Sequence, residues 1–411
     1  MTGSRAPSRG RPRTYRDATG VSPTFRVGLA ILALLAAAKL GTEFHRLVLG
    51  TPENLGAVDL VRRWNETRAW FAGEPVYALD DAIYPPATYP VLWPILGWVS
   101  FEGARRLWAL VYVGFLAWLS ALTLRESGVR SRAGRIAALL LPLAFNATGA
   151  TIGNGQLLLF VLPPLVVACL LASGRRTDLR TDLAIAASFC VAMVKPSAAA
   201  PFAWIVLFVP GRLRPAILTS AAYLLLTVFA LAFQPLDPGV IGGADPASST
   251  RRIIGASYGN LQAWLVALGM TESRLMIWLP LLALLGAAVW VHRYRRSDVW
   301  NLMGAMAIVA RMGWYHRVYD DLLILLPVIA LLRIGTRPAT GDDDLRRVPA
   351  LFLAFACIAA GLLPARSHTA WLGFLHFPVN ALTVAAWLST LFFLDREAKL
   401  SSDPGRAPGP A

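Results

Sequence analysis

Long apolar runs recur along almost the whole chain, and they constrain its fold more than any other feature. A hydrocarbon core of about 30 Å takes roughly 20 apolar residues per crossing helix. Of the 411 residues 56% are hydrophobic and only 15% are charged, whereas soluble proteins carry about 25% charged residues. The sequence therefore predicts an all-α polytopic membrane protein and argues against a soluble enzyme with an anchor.

Twelve runs are suited to crossing the membrane, which predicts a bundle of about 12 transmembrane helices. The run at 88–101 is left open as a thirteenth crossing or a re-entrant piece, because it is short and contains Pro90 and Pro94. The twelve predicted segments are 27–48, 104–124, 135–150, 156–173, 182–195, 196–210, 215–234, 275–292, 298–312, 320–334, 348–363 and 378–394.

Basic residues outnumber acidic ones, 39 against 24, but they occur as short arginine clusters between the apolar runs. This distribution is typical of cytoplasmic membrane loops, not of nucleic-acid binding, so no nucleic-acid partner is expected. If 88–101 does not cross, every later cluster falls on the cytoplasmic side. The positive-inside rule then predicts a multi-pass plasma-membrane protein with both termini in the cytoplasm.

This predicted membrane topology divides the chain into three regions. Residues 1–26 are predicted to be a disordered basic cytoplasmic tail, because they contain six arginines among Ser, Pro and Gly. Residues 27–394 form the transmembrane domain, and 395–411 a second disordered cytoplasmic tail. Cys169, Cys190 and Cys357 each lie within an apolar run, which predicts buried free thiols.

Polar and aromatic residues concentrate in four segments that the predicted topology places on the outer side of the membrane. These segments are a long first loop at about 49–103, the Gly153–Gln156 turn, the loop 235–274, and the segment 314–321. The cytoplasmic loops are short and arginine-bearing. Any chemistry is therefore expected to face outward.

Asp59 is the principal catalytic candidate. It begins an amphipathic stretch, 55–71, predicted to be a helix on the membrane surface with its tryptophans at headgroup level. Arg62 and Arg63 follow at i+3 and i+4, so a surface salt bridge explains the pattern equally well.

The other candidates are predicted to bind substrate, and all but Arg251 and Arg252 have a simpler structural explanation. Prolines that bend the chain explain the surroundings of Tyr84, and helix capping explains Asn154 and Gln156. Snorkelling to the membrane interface explains Lys195. An ordinary cluster of polar residues at the membrane interface explains His316, Tyr319 and Asp320. The candidates are Tyr84, Asn154, Gln156, Lys195, Arg251, Arg252, His316, Tyr319 and Asp320.

Nucleotide-binding motifs are missing, since no Gly-x-Gly-x-x-Gly follows a strand and no Walker loop occurs. The run Asp342-Asp343-Asp344 lies among Gly, Thr and Arg in a predicted cytoplasmic loop, which favours a solvated charge run. No metal cluster stands out, so we expect neither a metal nor a cofactor.

The order of these motifs resembles that of the family-87 glycosyltransferases of the GT-C type, membrane enzymes that use polyprenyl-phosphate sugars. The resemblance runs from the first helix to Pro327. The residues that carry it are Asp59, Gly73-x-Pro75-x-Tyr77, Tyr84-Pro85-Pro86, Gly153-Asn154-Gly155-Gln156, Lys195-Pro196 and His316-x-x-Tyr319-Asp320.

The resemblance implies a GT-C-like helical bundle with interfacial helices in its first outer loop. It implies transfer of mannose from polyprenyl-phosphate mannose to a glycolipid or glycan among the membrane lipids, with Asp59 as the general base. A single displacement would invert the anomeric centre. An arabinofuranosyltransferase that uses a polyprenyl-phosphate arabinose donor remains an alternative, as do a transporter or lipid flippase and a structural role.

Overall fold

The computed structural model describes residues 23–51, 56–78, 82–234, 261–267, 275–314, 317–338, 344–363 and 373–401. These ranges contain helices and no strand, which confirms the predicted all-α class. Short 3-10 helices occupy Val76–Ala78, Ala200–Phe202 and Val318–Ile324. The α-helices are α1 (Pro23–Leu49), α2 (Val58–Phe71), α3 (Thr88–Leu96), α4 (Phe101–Glu126), α5 (Arg132–Ala144), α6 (Asn146–Asn154), α7 (Leu158–Ser173), α8 (Leu179–Ala192), α9 (Pro196–Ala199), α10 (Ala203–Phe208), α11 (Arg214–Leu231), α12 (Leu261–Ala267), α13 (Leu275–Arg293), α14 (Val299–Gly313), α15 (Leu325–Gly335), α16 (Asp344–Leu362) and α17 (Gly373–Ser401).

Six helical stretches within the described ranges are long and apolar enough to cross a membrane. They are Pro23–Leu49, Phe101–Glu126, Arg132–Asn154, Arg214–Leu231, Leu345–Leu362 and Pro378–Ser401. Their faces expose large apolar side chains such as Leu34, Leu110 and Phe392, which lipid covers and water does not. The chain is thus built as a membrane-embedded helical protein. Helix also occupies each of the other predicted segments, in shorter pieces.

The centre of the bundle is formed by α7 and α14. Both helices are apolar around most of their circumference, and α7 is buried along almost its whole length. A helix that is hydrophobic on all sides is stable only when other helices surround it. Around α7 lie α4, α8, α10 and α14.

The region between α1 and α4 contains α2 and α3, which pack on each other. The run at 88–101 yields only the nine residues of α3, which rise about 14 Å at 1.5 Å per residue. That length is too short to cross the hydrocarbon core as a helix. Ser100 then starts α4 by accepting a hydrogen bond from the Gly103 N–H, 3.2 Å away.

Trp70 corrects the expected orientation of α2. We expected its tryptophans at headgroup level, but Trp70 is completely buried in protein. Its ring stacks on Tyr89 with centroids 4.3 Å apart, and its Nε1–H donates to the Ala230 carbonyl at 2.8 Å. The apolar side of α2 therefore packs against α3 and the end of α11.

The chain ends also differ from expectation. Residues 23–26 already belong to α1, and α17 continues to Ser401, so 395–401 are helical instead of a disordered tail. An ion pair between Asp395 and Lys399 at i,i+4 (2.5 Å) and a hydrogen bond from Trp290 to Asp395 (2.8 Å) stabilise this extension. Residues 1–22 and 402–411 lie outside the described ranges. The three cysteines are buried and free, as predicted.

Candidate functional site

Asp59 lies in the first turn of α2, where the helix dipole favours a negative charge. The start of α2 is anchored by Ala57, whose N–H donates to the Gly153 carbonyl at 2.9 Å. Within the described chain, the ion-pair partner of Asp59 is Arg62, at 4.0 Å, and no hydrogen bond reaches its carboxylate. Its side chain is 19% exposed. The carboxylate is thus held in place with its oxygens available to accept a proton.

The Gly153–Gln156 turn lies directly against the start of α2. Gly155 ends α6 with φ +69°, and a Cβ at this position would stand 2.5 Å from the Leu60 Cβ. Asn154 is the last residue of α6 and its Oδ1 lies 3.5 Å from Arg46 Nη2. The turn therefore joins the end of α6 to the start of α7, and neither polar side chain caps either helix.

Gln156 is buried, yet within the described ranges its side-chain amide forms no hydrogen bond. Its backbone carbonyl accepts from the Tyr112 hydroxyl. Two residues before the turn, in α6, Thr151 Oγ1 donates to the Tyr319 carbonyl at 3.3 Å, which links α6 to the 3-10 helix at 318–324. Together α6 and this turn therefore join the elements that carry Asp59 and Tyr319.

Replacement of Gly155 by alanine should disturb the site through the backbone. Left-handed φ costs a non-glycine residue roughly 1–2 kcal/mol, and the contact with Leu60 adds to this. We expect Gly155→Ala to lower the unfolding temperature in detergent and to shift α2. Gly114→Ala is the control, because a Cβ there meets no atom within 4 Å and alanine favours helix. Equal unfolding temperatures for the two variants would contradict this packing.

Lys195 and Asp320 form an ion pair, and both side chains are buried. Pro196 forces its predecessor out of the helical region (φ −122°, ψ 82°), which ends the helical stretch before Lys195. The second carboxylate oxygen of Asp320 accepts from the Arg317 N–H at 3.0 Å. The Lys195 ammonium also lies 4.9 Å from the Tyr319 ring centroid. Lys195 is therefore held inside the protein and does not snorkel.

Tyr84 stands between the charged groups. Burial raises the pKa of its hydroxyl, Lys195 and Arg63 lower it, and Asp59 and Asp320 raise it again, with a net increase. Arg63 lies over the Tyr84 ring, 4.2 Å from its centroid, and the other three charges are near enough to shift the pKa of the same phenol. Five of the residues singled out in the sequence thereby come together, since Tyr319 lies against Lys195.

Arg63 and Glu66 belong to this cluster, although the sequence analysis missed them as site residues. Both are buried, and Arg63 Nη2 lies 2.6 Å from Glu66 Oε1. The Arg63 guanidinium covers the Tyr84 ring at 4.2 Å, and the Tyr89 hydroxyl donates to Glu66 at 3.4 Å. Arg63 is therefore not part of the surface salt bridge expected for it, which Arg62 alone forms with Asp59.

The buried tyrosines should make the protein sensitive to alkaline pH. Burial raises the pKa of Tyr77, Tyr84 and Tyr89 above the ordinary 10.0. Above pH 10 the unfolded chain releases these protons and the folded chain retains them, so folding stability falls as the pH rises. We expect the unfolding temperature to fall between about pH 9.5 and 11, and to fall less in Tyr84→Phe. An identical decline in both proteins would contradict this assignment.

Arg251, Arg252 and His316 lie outside the described residues, as do 342–343 of the acidic run. In the part of the chain that the structure describes, no group of three His, Cys, Asp or Glu side chains is placed to hold a metal ion. The cations placed at the site are those of Lys195, Arg62 and Arg63.

Comparisons of the chain with protein-family models, with curated proteins and with solved structures found no match. The function must therefore be argued from the cluster around Tyr84 itself.

Proposed function

We propose that this protein is an inverting membrane glycosyltransferase. It transfers mannose from polyprenyl-phosphate mannose to a glycolipid or glycan at the outer face of the plasma membrane. The observation that carries the proposal is that one partly exposed carboxylate, Asp59, lies one helical turn from Arg63, which stacks on Tyr84. The buried cation of Lys195 is near enough to the same phenol to act on its pKa. Transfer from a lipid phosphate needs both kinds of group.

Asp59 is the general base of the proposed reaction. It takes the proton of the acceptor hydroxyl as that oxygen attacks the anomeric carbon. Its position supports this role, because its carboxylate is partly exposed and is fixed by the anchored first turn of α2. The single displacement inverts the anomeric centre, so a β-linked donor yields an α-mannoside.

The leaving group is a lipid phosphate monoester, which departs without a strong general acid. Its developing charge is stabilised by fixed donors in a site that excludes water. In this proposal Lys195, Tyr84 and Tyr319 line its path, which the contact between Lys195 and the Tyr319 ring supports. Asp320 neutralises Lys195 and orients its ammonium, so that the site has little excess charge before the donor binds.

An apolar groove supports the choice of a lipid-linked donor. It lies between α3, α8 and α11, has a volume of about 510 Å³, and is lined by Val91, Val191, Leu226, Phe229 and their apolar neighbours. Thr88, at the start of α3, donates to the Val194 carbonyl at 3.2 Å, directly before Lys195. Val91 of the groove follows Thr88 by one helical turn, so the groove lies near the proposed site, and its lining suits an isoprenoid chain.

The membrane topology is part of the same proposal. Twelve helical segments cross or enter the membrane, both termini lie in the cytoplasm, and the site faces outward. Two observations support it: α3 is too short to cross, and arginine clusters separate the later helices.

The test is transfer by membranes that contain the protein. Membranes are incubated with radiolabelled polyprenyl-phosphate mannose and crude glycolipid acceptor, beside control membranes without the protein. We expect label in a new lipid product only where the protein is present. Label that transfers only from the arabinose donor would keep the enzyme class and change the sugar. No transfer from either donor would contradict the proposal and favour a lipid flippase.

A further inference from the structure

Arg63 has a donor that the protein leaves unused. Its side chain is only 5% exposed, and Nη2 is occupied by Glu66 at 2.6 Å. Nη1 is buried and has no hydrogen-bond partner in the described structure. A guanidinium has five N–H groups, and buried donors are normally satisfied. The unpartnered nitrogen of this buried, charged side chain is therefore a donor that a bound ligand can satisfy.

The unused donor is located inside the site. Arg63 follows Asp59 by one helical turn, which sets their Cβ atoms roughly 5–6 Å apart. The guanidinium lies 4.2 Å from the centroid of the Tyr84 ring. Stacking fixes the plane of the guanidinium and leaves its edge free for hydrogen bonds. Lys195 differs, because it is already bound to Asp320.

We propose that Arg63 Nη1 binds a phosphate oxygen of the lipid-linked donor. This inference rests on the proposed function and names the group that recognises the phosphate. Guanidinium donors match phosphate oxygens in geometry and charge better than an ammonium does. Binding of a phosphate oxygen would also give a role to the second nitrogen of Arg63, whose charge Glu66 already neutralises.

The reaction step balances with these groups. The acceptor O–H bond breaks and its proton passes to the Asp59 carboxylate, while the acceptor oxygen forms a bond to the anomeric carbon. The bond between that carbon and the phosphate oxygen breaks, and its electron pair stays on the phosphate. The phosphate gains one negative charge as it leaves, which strengthens its hydrogen bond to Arg63.

The test is binding to the purified full chain in lipid nanodiscs, with farnesyl phosphate, farnesol and inorganic phosphate as probes. Arg63→Lys keeps a cation for Glu66 but removes the second nitrogen. We expect wild type to prefer farnesyl phosphate to farnesol, and Arg63→Lys to lose this preference by about tenfold or more. Arg68→Met is the matched control, because Arg68 is exposed on the same helix and should keep the wild-type preference.

Two results would separate this inference from the proposed function. A folded Arg63→Lys variant with the wild-type preference would overturn the role of Arg63 and leave the donor class intact. Wild type without any preference for the phosphate would overturn the proposed donor class itself. Displacement of farnesyl phosphate by an equal concentration of inorganic phosphate would indicate a free-anion site and would also overturn the inference.

Glu66→Gln keeps the inference testable if Arg63→Lys does not fold. It removes the negative charge that neutralises Arg63, so farnesyl phosphate should bind more tightly while farnesol binding stays unchanged. Unchanged binding of the phosphate in this variant would contradict the role of Arg63.

Discussion

Asp59→Asn should reduce mannose transfer by about 100- to 10,000-fold, the usual contribution of a positioned general base. This corresponds to roughly 3–5 kcal/mol of lost transition-state stabilisation. Asparagine has the shape of aspartate but cannot take the acceptor proton at neutral pH. Because the carboxylate acts in the chemical step, kcat should fall while the KM for the donor changes little.

Glu74→Gln is the control for Asp59→Asn. Glu74 is an exposed acid just beyond the end of α2, so its loss changes the net charge equally and should leave transfer unchanged. Expression and unfolding temperature of both variants should match wild type, because within the described residues Asp59 forms only a long ion pair with Arg62. Wild-type turnover by Asp59→Asn would show that another group is the base.

Lys195→Met should cause a large loss of stability. It leaves the Asp320 carboxylate buried without its cation, and breaking a buried pair from one side costs about 3–5 kcal/mol. The double variant Lys195→Met/Asp320→Asn should regain most of that loss, because it leaves no unpaired charge. Its asparagine retains an oxygen to accept the Arg317 N–H.

Unfolding temperature and transfer should respond differently in this series. The double variant should approach wild type in unfolding temperature but remain inactive, since it lacks the Lys195 ammonium. Lys399→Met is the control, because it breaks an exposed ion pair with Asp395. Exposed pairs contribute little, so it should lower the unfolding temperature far less than Lys195→Met and leave transfer unchanged. A double variant no more stable than Lys195→Met would contradict the ion pair between Lys195 and Asp320. A double variant that still transfers mannose would show that Lys195 is not needed for the reaction.

The helices were predictable from sequence because apolar runs report burial in lipid or protein directly. The error at Trp70 has a physical cause: amphipathic periodicity shows that a helix has an apolar side but does not name what covers it. The surface chosen in the sequence analysis was lipid, whereas α2 packs against α3 and the end of α11.

The site was predictable in part for a similar reason. Isolated polar residues beside apolar runs, such as Lys195 and Asp320, stand out because burying them is costly. Arg63 and Glu66 did not stand out, since charged residues are ordinary in a polar helix. Their spacing from Asp59, at i+4 and i+7, places all three on one face of α2, and that periodicity was the available signal. Their pairing across Tyr84 depends on tertiary contacts.

The most direct test is a structure of Asp59→Asn bound to intact polyprenyl-phosphate mannose in nanodiscs. The slow variant should trap the donor before transfer. We expect the sugar between residue 59 and Tyr84, the phosphate against Arg63 Nη1 and Lys195, and the lipid chain in the groove beside α3. A donor bound elsewhere, with the cluster around Tyr84 empty, would contradict the proposed site.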